Sequence, residues 1–177
     1  MKKRWSMAGL LILAGVLAAT VALSPSAAVA KEYKYSGPPA FTVTYPGTYA
    51  QDPENPNKVL YRTKLEGTLP IMEINCIDPK GADGVTVVTM ANAAKEYAKK
   101  IEKSQQTQVT VASEKQITLK DGTPAVEAVC TWLYQGFLNL QSSVVTTIKD
   151  GKWVYVVIHQ NPGAPLWDAP KSLMFKK

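Results

Sequence analysis

Two residues of this chain have the types needed for nucleophilic catalysis, namely Ser142 and the single histidine, His159. Asp150-Gly151 is a favoured two-residue hairpin turn, and pairing the chain across it places Ser142 opposite His159. Asp150 or Asp168 could then orient the imidazole, which would complete a Ser–His–Asp hydrolase set. The alternative is a strand-end histidine bonded to a neighbouring hydroxyl, and no Gly-x-Ser-x-Gly nucleophile turn occurs. We therefore expect no enzymatic activity.

Metal, cofactor and nucleic-acid chemistry lack support in the sequence. One histidine and two distant cysteines do not form a zinc-binding spacing. No calcium-loop pattern and no glycine-rich phosphate loop occurs. The lysines are scattered among acidic residues rather than clustered with aromatics, as a nucleic-acid surface would require. We expect no cofactor, no metal and no nucleic-acid partner.

A ligand pocket is a second chemical interpretation of the aromatic residues. Strand pairing would place five ring-bearing side chains on one sheet face, namely Trp132, Tyr134, Trp153, Tyr155 and His159. Such a face could line a site for a small apolar or aromatic ligand. It could equally be core beneath a helix, because Tyr and Trp are common strand residues that keep a polar tip at the rim.

The two cysteines, Cys76 and Cys130, allow two interpretations as well. An even number of cysteines in an oxidising compartment permits a disulfide. Each cysteine also lies on the apolar side of its own strand pattern, which suits a buried free thiol that packs as a small hydrophobe.

The first thirty residues are typical of a cleaved secretory signal peptide. The basic residues 2–4 precede an uncharged, mainly apolar run over 7–23, and Ala28 and Ala30 supply the small residues before the cleavage point. An uncleaved anchor is the alternative, but this apolar run is short for a bilayer. We expect a periplasmic or secreted protein that meets the membrane only through the signal peptide before cleavage. Removing three basic residues lowers the net charge from +6 to +3.

The mature part is predicted to be a loose arm over residues 31–40 and a single domain over residues 41–177. Alternating patterns predict three early strands, at 41–45, 59–65 and 70–77. A helix is predicted from Thr89, as the capping residue, to Ser104. Its apolar stripe consists of Met90, Ala94, Tyr97, Ala98 and Ile101.

From residue 109 onward the pattern predicts an antiparallel meander of four strands. The facing pairs predicted across its three turns are Ile117 with Val126, Val111 with Trp132, Tyr134 with Leu140, and Ile148 with Trp153. Both faces of this sheet are apolar, so both must be covered, one by the helix and one by the segment 165–175. We expect an α+β fold, a three-layer α/β/α sandwich around an antiparallel sheet of about six to seven strands.

Several segments, taken in chain order, resemble the PsbP-like superfamily. These are Tyr45-Pro46 after the first strand, the single helix, the stretch 113–125 with its Asp-Gly-Thr-Pro-Ala turn, the stretch 150–155, and the closing 172–175. The superfamily includes the extrinsic PsbP protein of photosystem II, the Ran-binding Mog protein of yeast and bacterial periplasmic DcrB-type proteins. The resemblance implies an α/β/α sandwich and docking to a larger protein or membrane complex without catalysis. The bacterial periplasmic branch is the nearest, and no site residue is carried over.

We therefore expect an exported, non-catalytic accessory or binding protein of the cell envelope. Its partner would be a protein or a membrane-associated complex, contacted by the loop 47–58 or by a tyrosine-rich patch of Tyr33, Tyr35, Tyr45 and Tyr49. The alternative is a periplasmic carrier of a small apolar or aromatic ligand, and a hydrolase using His159 and Ser142 is the third interpretation.

Overall fold

The computed structural model describes residues 30–46, 50–51, 60–64, 69–164 and 168–176. The predicted signal peptide lies outside the described residues up to position 29, as do most of the loop 47–58 and the turn at 65–68. Ala30, the residue before the predicted cleavage point, is exposed.

The described residues form strands, one α-helix and one short 3-10 helix. The strands are β1 (Lys31–Tyr35), β2 (Phe41–Tyr45), β3 (Ala50–Gln51), β4 (Tyr61–Lys64), β5 (Ile71–Ile77), β6 (Val109–Thr118), β7 (Pro124–Tyr134), β8 (Leu138–Lys149), β9 (Lys152–Gln160) and β10 (Met174–Phe175). Helix α1 is Ala93–Gln105, and the 3-10 helix is Ala169–Ser172. A seven-stranded antiparallel sheet has the order β3-β4-β5-β9-β8-β7-β6, and a three-stranded sheet has the order β1-β2-β10.

The β8–β9 hairpin confirms the register predicted from its turn. Asp150 and Gly151 both have positive φ, 49° and 69°, as a two-residue type I′ turn requires. Ile148 consequently lies opposite Trp153. Because this pairing is fixed by local turn chemistry, it could be predicted without any long-range information.

The predicted register of the β7–β8 hairpin is wrong by two residues. Tyr134 lies opposite Leu138 rather than Leu140, across a turn in which Gln135 and Gly136 have positive φ. A shift of two residues keeps every side chain on its predicted face, because side chains alternate with a period of two.

The predicted register of the β6–β7 hairpin is wrong by one residue near its turn. Ile117 lies opposite Ala125 rather than Val126 because the loop contains three residues, closed by Gly122 at φ 86°. A bulge between Val111 and Ser113 then shifts the register again, so that Val111 faces Cys130 rather than Trp132. The three-residue loop thus places Ile117 on the sheet face opposite the helix, and the bulge returns Val111 to the helix-covered face.

Helix α1 begins later than its predicted cap at Thr89. The residue before the helix is Asn92, whose Oδ1 accepts hydrogen bonds from the Thr89 backbone N–H at 2.6 Å and from the Thr89 hydroxyl at 3.2 Å. Four of the five predicted stripe residues, Ala94, Tyr97, Ala98 and Ile101, lie in the helix and are buried, whereas Met90 precedes the helix and is half-buried.

Each face of the seven-stranded sheet carries its own hydrophobic core. On one face α1 packs over Trp153, Tyr155 and their neighbours. The opposite core is covered by the three-stranded sheet and by Ala169 and Leu173 at the 3-10 helix. The antiparallel α+β architecture is confirmed. The predicted second helical layer is not found among the described residues, which supply strands and one turn of 3-10 helix containing Pro170 instead.

The segment for which the composition predicts a loose arm contains strand β1. Lys31–Tyr35 pairs antiparallel with β2 along its whole length. The expectation of irregular structure is therefore wrong for these residues. The reason is an alternation that places Tyr33 and Tyr35, both half-buried, against the core beside Phe41.

Candidate functional site

The structure places two of the five predicted pocket residues in the packed core beneath α1. Trp153 and Tyr155 are each 1% exposed, and the Tyr155 ring lies 5.5 Å from the Tyr97 ring of the helix, measured between centroids. The indole N–H of Trp153 donates to the Thr146 hydroxyl at 2.7 Å. These two rings are explained by the core interpretation.

The other three predicted pocket residues lie toward the far end of the same face. Trp132 is buried, and its ring contacts the rings of Tyr134 and His159 with centroid separations of 6.0 and 5.7 Å. Tyr134 is partly exposed at the end of β7. Along the strands, the aromatic side chains therefore change from buried core at Trp153 to exposed surface at Tyr134.

Ser142 and His159 are brought together as the sequence predicts. They are opposite each other in the β8–β9 pair, with Ser142 Oγ 2.8 Å from His159 Nδ1. The same oxygen accepts the indole N–H of Trp132 at 2.8 Å. When the Ser142 hydroxyl donates to His159 Nδ1, its oxygen can still accept from Trp132, and the imidazole proton lies on Nε2.

Neither predicted aspartate orients this histidine. Asp150 occupies the turn at the opposite end of β9, about 25 Å along the strand, and Asp168 forms an ion pair with Lys171 at 3.4 Å. The carboxylate that faces the imidazole is Glu73, whose Oε2 lies 3.9 Å from His159 Nε2.

Arg62 extends this chain of polar groups on the other side of Glu73. Its Nε donates to Glu73 Oε1 at 3.2 Å across the β4–β5 pair. Both side chains are largely buried. The resulting chain of polar groups crosses five adjacent strands on the helix-covered face, from Arg62 on β4 to Trp132 on β7.

This polar chain is largely buried, and its order differs from that of a catalytic triad. Ser142 is 0% exposed, and its oxygen is in contact with the indole N–H of Trp132. The serine is bonded to Nδ1, and the carboxylate faces Nε2, the reverse of the triad of a serine protease. Burial raises the pKa of Tyr97 well above its ordinary value and the charge of Glu73 raises it further, while a hydrogen bond to Ser142 acts in the opposite direction.

Glu73 and Arg62 were not identified from the sequence because no local turn links their strands to Ser142 or His159. Strand β5 pairs with β9 across a long connection that contains α1. The available signal was polar alternation in β5, where Glu73 and Asn75 share one face and Asn75 Nδ2 donates to the Tyr155 hydroxyl at 2.6 Å.

The disulfide between Cys76 and Cys130 is excluded, and both thiols are free. Cys76 packs against the core under the three-stranded sheet, whereas Cys130 belongs to the core under α1. Their strands, β5 and β7, are separated by β9 and β8, about 14 Å at ordinary strand spacing. A disulfide needs Cα atoms within about 7 Å. Burial raises the pKa of Cys130 to about 12.

The tyrosines predicted to form a contact patch are instead packed against one another and the core. The Tyr33 and Tyr61 rings are 4.9 Å apart between centroids, and the Tyr61 hydroxyl donates to that of Tyr45 at 2.9 Å. Burial and this hydrogen bond raise the pKa of Tyr61. Tyr35 packs on the same core, and Tyr49 lies outside the described residues.

An open groove of about 830 Å³ lies beside the three-stranded sheet. Its lining mixes acidic and basic side chains, namely Glu32, Lys120, Asp168 and Lys171, with Tyr45 and Met174. Most of the groove's surface is apolar, but four charged side chains are more than the few polar groups that are typical of a pocket for an aromatic ligand. The groove is therefore a weak candidate for the predicted carrier function.

The clearest unexplained surface is the end of the β7–β8 hairpin. Four large apolar side chains are exposed there: Leu133 at 40%, Tyr134 at 36%, Phe137 at 74% and Leu138 at 38%. We call these four residues the hairpin tip. Sequence reasoning expected Leu133 to be covered within the sheet, and it did not single out Phe137 or Leu138.

The hairpin tip projects beyond the strands that flank its base. Strand β6 begins opposite Trp132, and β9 ends opposite Gln141. The pairs Leu133–Asn139 and Tyr134–Leu138 therefore have no described strand on either side. Two further residues of each strand extend the hairpin about 7 Å beyond the edge of the sheet, and the turn residues extend it further.

The described residues contain neither a metal-binding cluster nor a membrane-spanning helix. No group of three or more His, Cys, Asp or Glu side chains is placed to hold a metal ion within the described ranges. In the same residues, no helix is long and apolar enough to cross a membrane.

Comparison with known proteins identifies the fold. The chain is similar to the solution structure of cyanobacterial PsbP (CyanoP) from Synechocystis sp. PCC 6803, with a TM-score of 0.63 and 12% sequence identity. The match covers 86% of this chain and 96% of the cyanobacterial chain. No family model matches the sequence, and no curated protein is similar to it. The fold is therefore PsbP-like, as the resemblance implied.

Proposed function

We propose that the protein is exported, loses residues 1–30 and acts in the cell envelope as a non-catalytic accessory protein that docks on a partner through the hairpin tip. The exposure of Phe137, 74% in a described domain whose other phenylalanines are buried, carries this proposal. Large exposed apolar groups that cluster in one place are typical of interaction sites.

The position of β1 supports removal of the signal peptide on the unfolded chain. Lys31 follows Ala30 directly and pairs with Tyr45. A cleavage site that directly adjoins a paired strand is best reached before that strand forms. We therefore expect a mature protein that starts at Lys31 and has no free arm.

The absence of catalysis in this proposal rests on the burial of Ser142 and on the reversed order of its partners. The carrier alternative has less support, because Trp153 and Tyr155 belong to the core and the groove is open and carries four charged side chains.

Photo-crosslinking in living cells tests the docking proposal. Cells that express the full chain carry a benzophenone amino acid at Phe137, or at Glu114, an exposed polar position on β6, as the matched control. We expect reproducible adducts with an envelope component at position 137 and none at position 114. Equal or absent adducts at both positions would reject the proposal.

Mass spectrometry of the same purified protein tests its export. The expected N-terminus is Lys31, in the periplasmic or secreted fraction. Full-length protein in the cytoplasmic fraction would contradict the proposed address.

A further inference from the structure

We propose that the docking partner of the hairpin tip is a lipid bilayer, into whose interface the four tip side chains insert. This inference rests on the proposed docking function and specifies the class of its partner. Three observations on the tip carry it, and they concern its shape, its charge and its size.

The apolar side chains of the tip point in every direction. Tyr134 and Leu138 face each other on the helix side of the hairpin, Leu133 lies on the opposite side, and Phe137 lies in the turn. A flat protein surface would contact one side of such a hairpin and leave the other in water. A bilayer surrounds an inserted loop from all sides.

The tip carries no charge to be removed from water. The chain has no Asp, Glu, Lys or Arg between Glu127 and Lys149. The backbone polar groups that face across the hairpin are paired, because the ladder continues to Tyr134–Leu138 and the Phe137 N–H donates to the Tyr134 carbonyl at 3.2 Å. Open strand edges do not occur in the hydrocarbon core, so the tip enters the interfacial region, where water and lipid headgroups satisfy its outward-facing backbone groups.

The size of the tip suits insertion better than a protein interface. Four side chains with these exposed fractions offer on the order of 400 Å², about half of what each partner contributes to a standard protein–protein interface. The projection of about 7 Å plus the turn matches the depth of about 5–10 Å at which apolar side chains of interfacial proteins reside. Tyrosine at the base of the tip is typical of the headgroup level.

Flotation with lipid vesicles tests the inference on the processed protein purified from cells that express the full chain. The vesicles contain phosphatidylethanolamine and phosphatidylglycerol, and a parallel set contains phosphatidylcholine alone. We expect binding to both sets that changes less than about twofold between 0.05 and 0.5 M salt, because no charge of the tip takes part.

The test variant combines Phe137→Ser with Leu138→Asn. The matched control combines Val85→Ser with Val87→Asn, since these valines are 81% and 59% exposed on a different loop. Removing two inserted apolar side chains should lower the partition coefficient at least about tenfold. The control should stay within about twofold of the original protein.

The outcomes separate this inference from the proposal on which it rests. If the protein does not float with vesicles, or if the tip variant floats as well as the original, the lipid inference is wrong. If the benzophenone at position 137 then captures one defined envelope protein, docking stands and the partner is a protein. If neither vesicles nor that residue reports contact, both proposals fail.

Discussion

The base and the tip of the β7–β8 hairpin are built from similar residues and have opposite surroundings. At the base, Trp132 is 8% exposed and donates its indole N–H to Ser142. At the tip, Phe137 faces water. Both belong to one stretch without charged residues. Their difference comes from their neighbours, because α1, β6 and β9 flank the base and none of these elements reaches the tip.

This comparison teaches that composition alone does not separate a core from a docking surface in this chain. An alternating apolar strand predicts burial, but burial also requires a neighbouring element that extends as far as the strand does. The substitutions below measure this difference, beginning with the largest expected effect on stability.

Replacing Trp132 with Ala should have the largest effect, a loss of about 3–5 kcal/mol in the free energy of unfolding. The substitution leaves a cavity and removes a donor from the Ser142 hydroxyl. Urea unfolding at neutral pH measures it, with the slope of the transition checked for constancy. A loss below about 1 kcal/mol would show that the base is no better packed than the tip.

Ser142→Ala should have the second largest effect, about 1–3 kcal/mol, because the Trp132 N–H then loses its buried acceptor and His159 Nδ1 its partner. Ser143→Ala is the matched control, since Ser143 is equally buried on the other face of the same strand. Equal losses for the two variants would contradict a special role for the polar chain.

The local part of this polar chain could be predicted, and the long-range part could not. Ser142 and His159 are joined by a two-residue turn whose Asp-Gly chemistry fixes the register. Glu73 reaches His159 only through the β5–β9 pairing, for which no turn provides a signal. The cysteines illustrate the same limit, because strand order decides their separation and the chain alone does not give that order.

Irregular features account for the remaining errors in the predicted fold. The extra residue in the β6–β7 loop changes the face of Ile117, the bulge beside Val111 shifts the register again, and alternation cannot reveal an inserted residue. The tip was missed because its residues fit the strand pattern, whereas the ends of β6 and β9 determine their exposure. The apolar stripe of the helix was predicted correctly because its periodicity depends on one element alone.

Glu127, near the beginning of β7, is a third position to compare with the base and the tip of the hairpin. Its two carboxylate oxygens lie 2.9 Å from Lys115 Nζ and 3.0 Å from Lys171 Nζ, which ties β7 to β6 and to the 3-10 helix. Burial opposes ionisation, but the two ammonium groups hold the pKa of Glu127 below its ordinary value. This contribution to stability is therefore present above the ordinary pKa and is lost as pH falls through the lowered folded value.

Glu127→Gln should consequently destabilise the protein by about 1 kcal/mol at neutral pH and by less in acid. Unfolding measured from pH 7 down to about pH 3 should show a shallower acid dependence for the variant than for the original protein. The exposed Glu114, replaced by Gln, is the control and should change stability by less than about 0.5 kcal/mol. An unchanged acid slope in the Glu127 variant would show that the two lysines do not act on this carboxylate.

The smallest effect on folding is expected at the tip itself. Phe137→Ser removes a side chain that is three-quarters exposed, so the free energy of unfolding should change by less than about 0.5 kcal/mol. The same variant should lose much of its binding to vesicles. The Phe137 ring is exposed to water in the folded protein, and insertion into the bilayer removes it from water. Trp132→Ala reports on folding in the same hairpin, and Phe137→Ser reports on docking. A substantial loss of stability in Phe137→Ser would mean that the ring packs against the domain, and the contrast between base and tip would then disappear.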